Sequence, residues 1–257
     1  MDRLQLDKNA KLTGRVYFKD EVMWLGLSGS GASFTFDGTK LVLKLKGDNI
    51  AVGDNPIDYA RIAVYVDGKR VVDEMIDCAE KEVTVIDRTE NAQSVVEIIK
   101  LSESPMSAVG IEAFAEGSAE PLPEKQLKIE FIGDSITCGY GVDDEDENHQ
   151  FTTATEDVTK AYAYKTAKAL DAEYSMFSAS GYGIVSGYTE GDEPISEQTI
   201  PQFYCSYGFS RGNFAGTAPQ DIPWDFSKYV PQIIVINLGT NDDSYCRDYK
   251  DRQAVFS

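Results

Sequence analysis

Three apolar runs in the second half of the chain each stop on small polar residues. LKIEFI ends on Gly133-Asp134-Ser135, AEYSMF on Ser178-Ala179-Ser180-Gly181, and QIIVINL on Gly239-Thr240-Asn241-Asp242. Apolar stretches such as Ile233 to Leu238, interrupted at Asn237, suit parallel strands buried on both faces, and TEDVTKAYAYKTAKAL between the first two reads as a helix, with Thr153 and Glu156 at capping-box spacing. Strands separated by helical or long connecting segments describe an open α/β sheet, which binds ligands at the carboxyl ends of its strands. The three polar endings therefore converge on one place.

The first half of the chain has a different period. ASFTF-DG-TKLVLKLKGD puts Phe34, Phe36, Leu41, Leu43 and Leu45 on one face and Lys40, Lys44 and Lys46 on the other, with Asp37-Gly38 read as a type I′ hairpin turn. RIAVYV-DG-KRVVDEMI repeats the device at Asp67-Gly68, and KEVTVID, SVVEIIKL and SAVGIEAFAE add further strands. Short strands with regular turns predict a β-sandwich of jelly-roll type over residues 1–116. GSAEPLPEKQ, residues 117–126, has the prolines and small polar residues of a linker, leaving 127–257 for the α/β domain.

Lys and Arg number 24 against 43 Asp and Glu, a formal net charge of −19, so phosphate backbones and anionic lipid surfaces are repelled. Nucleic acid and membranes are thus not expected partners. Cys78, Cys138, Cys205 and Cys246 form no C-x-x-C pair and His149 is the one histidine, so neither a metal cage nor a cofactor is expected, and the thiols read as free. The N-terminus has no apolar h-region and no run approaches the ~20 apolar residues of a membrane span. The expectation is a cytoplasmic protein, or a secreted one whose leader has been removed.

A serine hydroxyl becomes a nucleophile when a base takes its proton and donors await the oxyanion. Ser135 can be that nucleophile, and the backbone N–H groups of Ser135 and Gly181 with the side-chain amide of Asn241 can be the donors. Gly208 to Gly212 also spells G-x-S-x-G but lacks the strand before and the helix after that a nucleophile elbow requires. Asp143 to Glu147 has no EF-hand spacing and reads, with His149, as a solvated acidic loop. Cys138 is expected to lie buried behind the nucleophile turn. Of the aromatics after the second run (Tyr182, Tyr188, Phe203, Tyr204, Tyr207 and Trp224), Tyr188 is the first candidate to bind a substrate by stacking or by walling its pocket.

GDSIT after the first strand, a glycine after the second and GTND after the third resemble the first three blocks of the SGNH (GDSL-like) hydrolases. A sandwich in front, with CGYGV, TATEDVTKAYAY and SGYGIVSGYT, narrows the resemblance to the second family of carbohydrate esterases, the acetylxylan-esterase-like deacetylases, over essentially the whole chain. The resemblance implies a jelly roll followed by a three-layer α/β/α domain. It also implies removal of O-acetyl groups from plant polysaccharides or their oligosaccharides through an acetyl-serine, with Ser135 as nucleophile and Gly181 and Asn241 completing the oxyanion hole. The family's base is a histidine in a late block, and no such block precedes the terminal DRQAVFS. The expectation is therefore a partial chain whose histidine lies in a missing C-terminal segment or in another chain. The alternatives are a catalytically silent glycan-binding fragment and an SGNH esterase acting on a different acyl carrier.

Overall fold

The computed structural model describes residues 1–191 and 193–247. Nine antiparallel strands build the first half: β1 (Asp2–Leu4), β2 (Lys11–Thr13), β3 (Val16–Lys19), β4 (Val22–Leu25), β5 (Gly31–Gly47), β6 (Ala60–Val66), β7 (Lys69–Ile76), β8 (Glu80–Lys100) and β9 (Val109–Pro121), with a one-turn helix α1 (Leu6–Asn9) after β1. Their order is β3-β4-β9-β5-β8-β6-β7, with β1 added to β9 and β2 to β5. Phe34, Phe36, Leu41, Leu43, Ile62 and Ile98 belong to one fully buried cluster enclosed by this large sheet.

The two Asp-Gly pairs behave differently. Asp67-Gly68 joins β6 to β7, with φ of +51° and +77°, as a type I′ turn requires. Asp37-Gly38 is no turn: β5 runs through it for 17 residues. The buried phase changes there from even (Phe34, Phe36) to odd (Leu41, Leu43, Leu45), and a bulge between Gly38 and Lys40 absorbs the extra residue. A Cβ on Gly38 would lie 2.3 Å from the Glu116 carbonyl oxygen, so close strand approach explains the glycine. The segment expected as linker is also shorter than its composition suggests, because Gly117–Pro121 still pair with β5 as the end of β9.

The second half holds β10 (Lys128–Gly133), α2 (Ser135–Cys138), α3 (Tyr162–Ala169), β11 (Glu173–Ser178), α4 (Ile200–Phe203), β12 (Ile233–Asn237) and α5 (Thr240–Cys246). The strands are parallel in the order β11-β10-β12. Because β11 and β12 flank β10 on opposite sides, the chain reverses winding direction at the carboxyl end of β10, where a crevice opens. Ile129 and Phe131 of β10 pack with Ala163 and Ala167 of α3 and with Ala63, Ile99 and Leu101 of the sandwich. On the other face Ile132 and Phe177 meet Leu27, Ile200 and Phe209. Both faces of the central strand thus draw part of their cover from the sandwich.

Two local expectations are corrected. The helix begins at Tyr162, not at the Thr153/Glu156 pair: the Glu156 carboxylate is buried and accepts the backbone N–H of Glu103 at 2.9 Å, so it is taken by the neighbouring domain and caps nothing. β12 is not covered on both faces. It lies at the edge of the described sheet, with Ile234 and Ile236 54% and 64% exposed. Among the described residues no helix is long and apolar enough to cross a membrane.

Candidate active site

β10 ends on Gly133, and the chain turns at once into α2 with Ser135 as its first residue. Asp134 caps this turn, its Oδ1 accepting the Ile136 N–H at 3.1 Å. The Asp134 side chain is buried with its other oxygen unpartnered, and that burial raises its carboxyl above the usual range. Ser135 at the helix start is half-buried, with its backbone N–H unused by a described protein acceptor. Cys138 one turn on is fully buried, and desolvation together with Glu103 and Glu156 pushes its thiol well up, so it is no thiolate. Cys78, Cys138 and Cys205 are free thiols.

β11 ends on Ser178, and Gly181 follows in the left-handed region at φ +79° with nothing within 4 Å of where a Cβ would stand. Its N–H is also unused by a described acceptor. The third strand delivers α5, whose first residues reach back to the segment behind Gly181. Asn241 Nδ2 donates to the Tyr182 carbonyl at 2.7 Å, and the buried Asp242 carboxylate accepts the N–H groups of Ile184, Val185 and Ser186 at 2.6 to 3.1 Å. Asn241 is the second residue of α5, not its cap, and its amide keeps a second N–H.

Ser135, Gly181 and Asn241 line one open cleft of about 330 Å³ with Tyr188, Tyr140, Phe151, Ser180, Met106 and Glu103. The three strand ends are therefore brought together, as is Tyr188, which is 49% exposed with its hydroxyl directed at Glu190. The remaining aromatic candidates are packing residues. Tyr207 is buried with its hydroxyl on the Trp24 carbonyl, Tyr182 and Phe203 pack on Phe209, and Tyr204 and Trp224 face the Arg15 guanidinium. Ser210 of the G-x-S-x-G run is buried with its hydroxyl on the Met106 carbonyl, in a loop without strand or helix.

His149 lies outside the cleft. Its ring is mostly exposed, and Nδ1 stands 2.8 Å from Asp144 Oδ1 on the acidic loop that forms a neighbouring hollow. Among the described residues no imidazole lines the Ser135 cleft.

The sequence reading missed four of the cleft's walls. Tyr140 and Phe151 stack at 4.1 Å between ring centroids, 9° from parallel, forming a flat aromatic wall shared with the acidic hollow. Tyr140 belongs to the CGYGV wording, so a signal existed. Glu103 and Met106 come from the sandwich, on the loop after β8, where LSESPMSA has no strand period to mark it. No sequence signal tied that loop to the serine.

Comparison with known proteins agrees with the two-domain architecture. The family described as "Carbohydrate esterase 2 N-terminal" matches residues 12–124, and "GDSL-like Lipase/Acylhydrolase" matches residues 129–256. The chain is 32% identical over 221 residues to the "Cellulase/esterase CelE" of Acetivibrio thermocellus, covering 84% of this chain and 24% of that protein. It is 29% identical over 245 residues to an "Acetylxylan esterase / glucomannan deacetylase" of Cellvibrio japonicus, covering 93% of this chain and 62% of the relative. The chain thus spans less than two thirds of the length of either curated relative. Among solved structures, a family two carbohydrate esterase from Clostridium thermocellum, in complex with cellohexaose, superposes with a TM-score of 0.75 at 29% identity, covering 91% of this chain and 67% of that one. A sandwich of the esterase type in front, a GDSL-like domain behind it and a likeness spanning both place this chain in the second family of carbohydrate esterases.

Proposed function

We propose that the chain carries the nucleophile and oxyanion side of a carbohydrate O-acetyl esterase. The observation behind this reading is the joining of Ser135, Gly181 and Asn241 in one cleft at the switch point of the parallel sheet. Ser135 Oγ attacks the acetyl carbonyl. The negative charge that develops on the carbonyl oxygen is met by the N–H groups of Ser135 and Gly181 and by the free amide N–H of Asn241, donors held in place before the reaction begins. Collapse releases the sugar hydroxyl and leaves acetyl-Ser135, which water then cleaves. Among the described residues no imidazole lines the cleft to take the Ser135 proton.

The cleft and the relatives support a carbohydrate ester as the substrate class. Tyr140, Phe151 and Tyr188 offer apolar ring faces, with hydroxyls on the two tyrosines, suited to a sugar ring, and among the described residues the cleft is open and short. The Cellvibrio japonicus relative is named as an acetylxylan esterase and glucomannan deacetylase, and the Clostridium thermocellum structure holds cellohexaose. Acetate release from acetylated xylan, acetylated glucomannan and an aryl acetate tests the reading, with Ser135→Ala as the control. A wild-type protein that releases acetate from none of them overturns it.

A second reading, glycan binding without hydrolysis, is favoured by the cellohexaose that the Clostridium thermocellum structure holds. Calorimetry with xylo-, manno- and cello-oligosaccharides separates the two. Binding unaccompanied by acetate release from the acetylated forms supports the binding reading.

A further inference from the structure

We propose that Glu103, contributed by the sandwich, is a positioning residue of the serine site: its carboxyl holds the Ser180 backbone and so fixes where the Gly181 N–H points. This rests on the esterase reading above. Glu103 is fully buried yet borders the same cleft as Ser135. Its Oε2 accepts the Ser180 N–H, one residue before the proposed oxyanion glycine, and lies 3.6 Å from the Cys138 sulfur of the nucleophile helix. One side chain thus touches the segments that carry both Ser135 and Gly181.

The loop that presents Glu103 is tied from every side. Lys100 Nζ, fully buried, donates to the carbonyls of Ser102 and Glu103 at 2.7 and 3.0 Å. Glu156 accepts the Glu103 N–H, Asp48 accepts Ser107 Oγ and Ala108 N, and Ser104 donates to the Phe209 carbonyl. A hydrogen bond from so fixed a base constrains the Ser180–Gly181 backbone more than water could, since ordering the acceptor costs nothing at the moment of reaction.

Crowding and burial favour a neutral carboxyl in this cluster, and the Ser180 contact does not depend on which of Glu103 and Glu156 carries the proton. Glu103, Glu156 and Cys138 lie with their polar atoms within 4.8 Å of one another, facing one ammonium, that of Lys100. Two carboxylates cannot both ionise cheaply in that space, and burial raises both carboxyls. A neutral carboxyl still offers its carbonyl oxygen to Ser180, which glutamine can do equally well.

Glu103→Gln keeps both reach and acceptor, whereas Glu103→Asp keeps acidity but withdraws by one methylene. The positioning role predicts that the Gln variant retains kcat within about threefold. The Asp variant should lose about a hundredfold in kcat, with KM little changed, because a misplacement of about 1 Å costs that much. Amide hydrogen exchange of residues 177–183 should quicken in the Asp variant and not in the Gln variant, with exchange in the sandwich unaltered. A Gln variant as impaired as the Asp variant overturns the proposal in favour of an ionised role, and two unimpaired variants overturn it outright. If the wild type releases no acetate the esterase reading fails, while the exchange measurement still decides whether Glu103 holds Ser180.

Discussion

The two domains contribute to the cleft in opposite ways. The parallel sheet places its chemical groups at strand ends, partly open to solvent, where Ser135, Gly181 and Asn241 keep donors and a hydroxyl unengaged. The sandwich sends in groups that are wholly buried and mostly satisfied: Arg15 beneath an aromatic cage, Lys100 among carbonyls, and Glu103 against Ser180. Arg15 crosses to the carbonyls of Tyr204 and Ser206 and to Glu130, with its guanidinium over Phe177 and Tyr204. One half leaves hydrogen-bonding groups open to the cleft, whereas the other engages most of its groups internally, Arg15 Nε and Glu103 Oε1 excepted.

That difference can be broken by separating rate from stability. Ser135→Ala should reduce acetate release by about a thousandfold or more while the urea midpoint stays put, because a half-exposed hydroxyl supports little of the fold. Arg15→Met should do the reverse. It leaves Glu130 facing only the Tyr204 hydroxyl, and loss of one partner from a buried pair costs about 3 kcal/mol. Urea unfolding reads that loss, and kcat measured well below the transition should be unchanged. A fall in kcat with intact stability would show that the sandwich acts on chemistry at this point too.

Asn241→Ala sharpens the contrast on the α/β side, since one amide both faces the cleft and holds Tyr182. A loss of about a hundredfold in kcat is expected from a missing oxyanion donor, with a smaller stability change from the Tyr182 bond. The smallest effect concerns Glu156. Its carboxyl is raised by burial beside Glu103, so the native state holds a proton that the unfolded chain releases near the ordinary glutamate value. Stability from this group is complete below that value and fades as pH rises toward the folded value. Glu156→Gln should therefore flatten the fall in stability between acid and neutral pH, read from urea midpoints at several pH values against wild type. An unchanged slope would mean that Glu156 is ionised in the fold.

The chain's own pattern was enough for the domain styles, the three strand ends and the serine-glycine-asparagine constellation, because parallel strands and their terminal polar residues are local signals. The Asp67-Gly68 turn was legible for the same reason. Asp37-Gly38 misled because a dipeptide encodes backbone preference but not whether the chain turns or bulges. The phase change from Phe36 to Leu41 was visible, and its meaning depended on β9 lying alongside. The Ile233 to Leu238 run likewise gave strand, while its exposure depended on which described elements pack against it.

What the sequence determined by itself is thus the period of each half and the identity of the groups that end its strands, since both depend on neighbours a few residues apart. Only the tertiary structure decided that Glu156 serves Glu103 instead of a helix start, that Tyr140 stacks on Phe151 beside the serine, and that a sandwich glutamate reaches Ser180. Those contacts join residues 11 to 77 positions apart. Burial supplies their energy, and burial is a property of the folded neighbourhood that no local pattern carries.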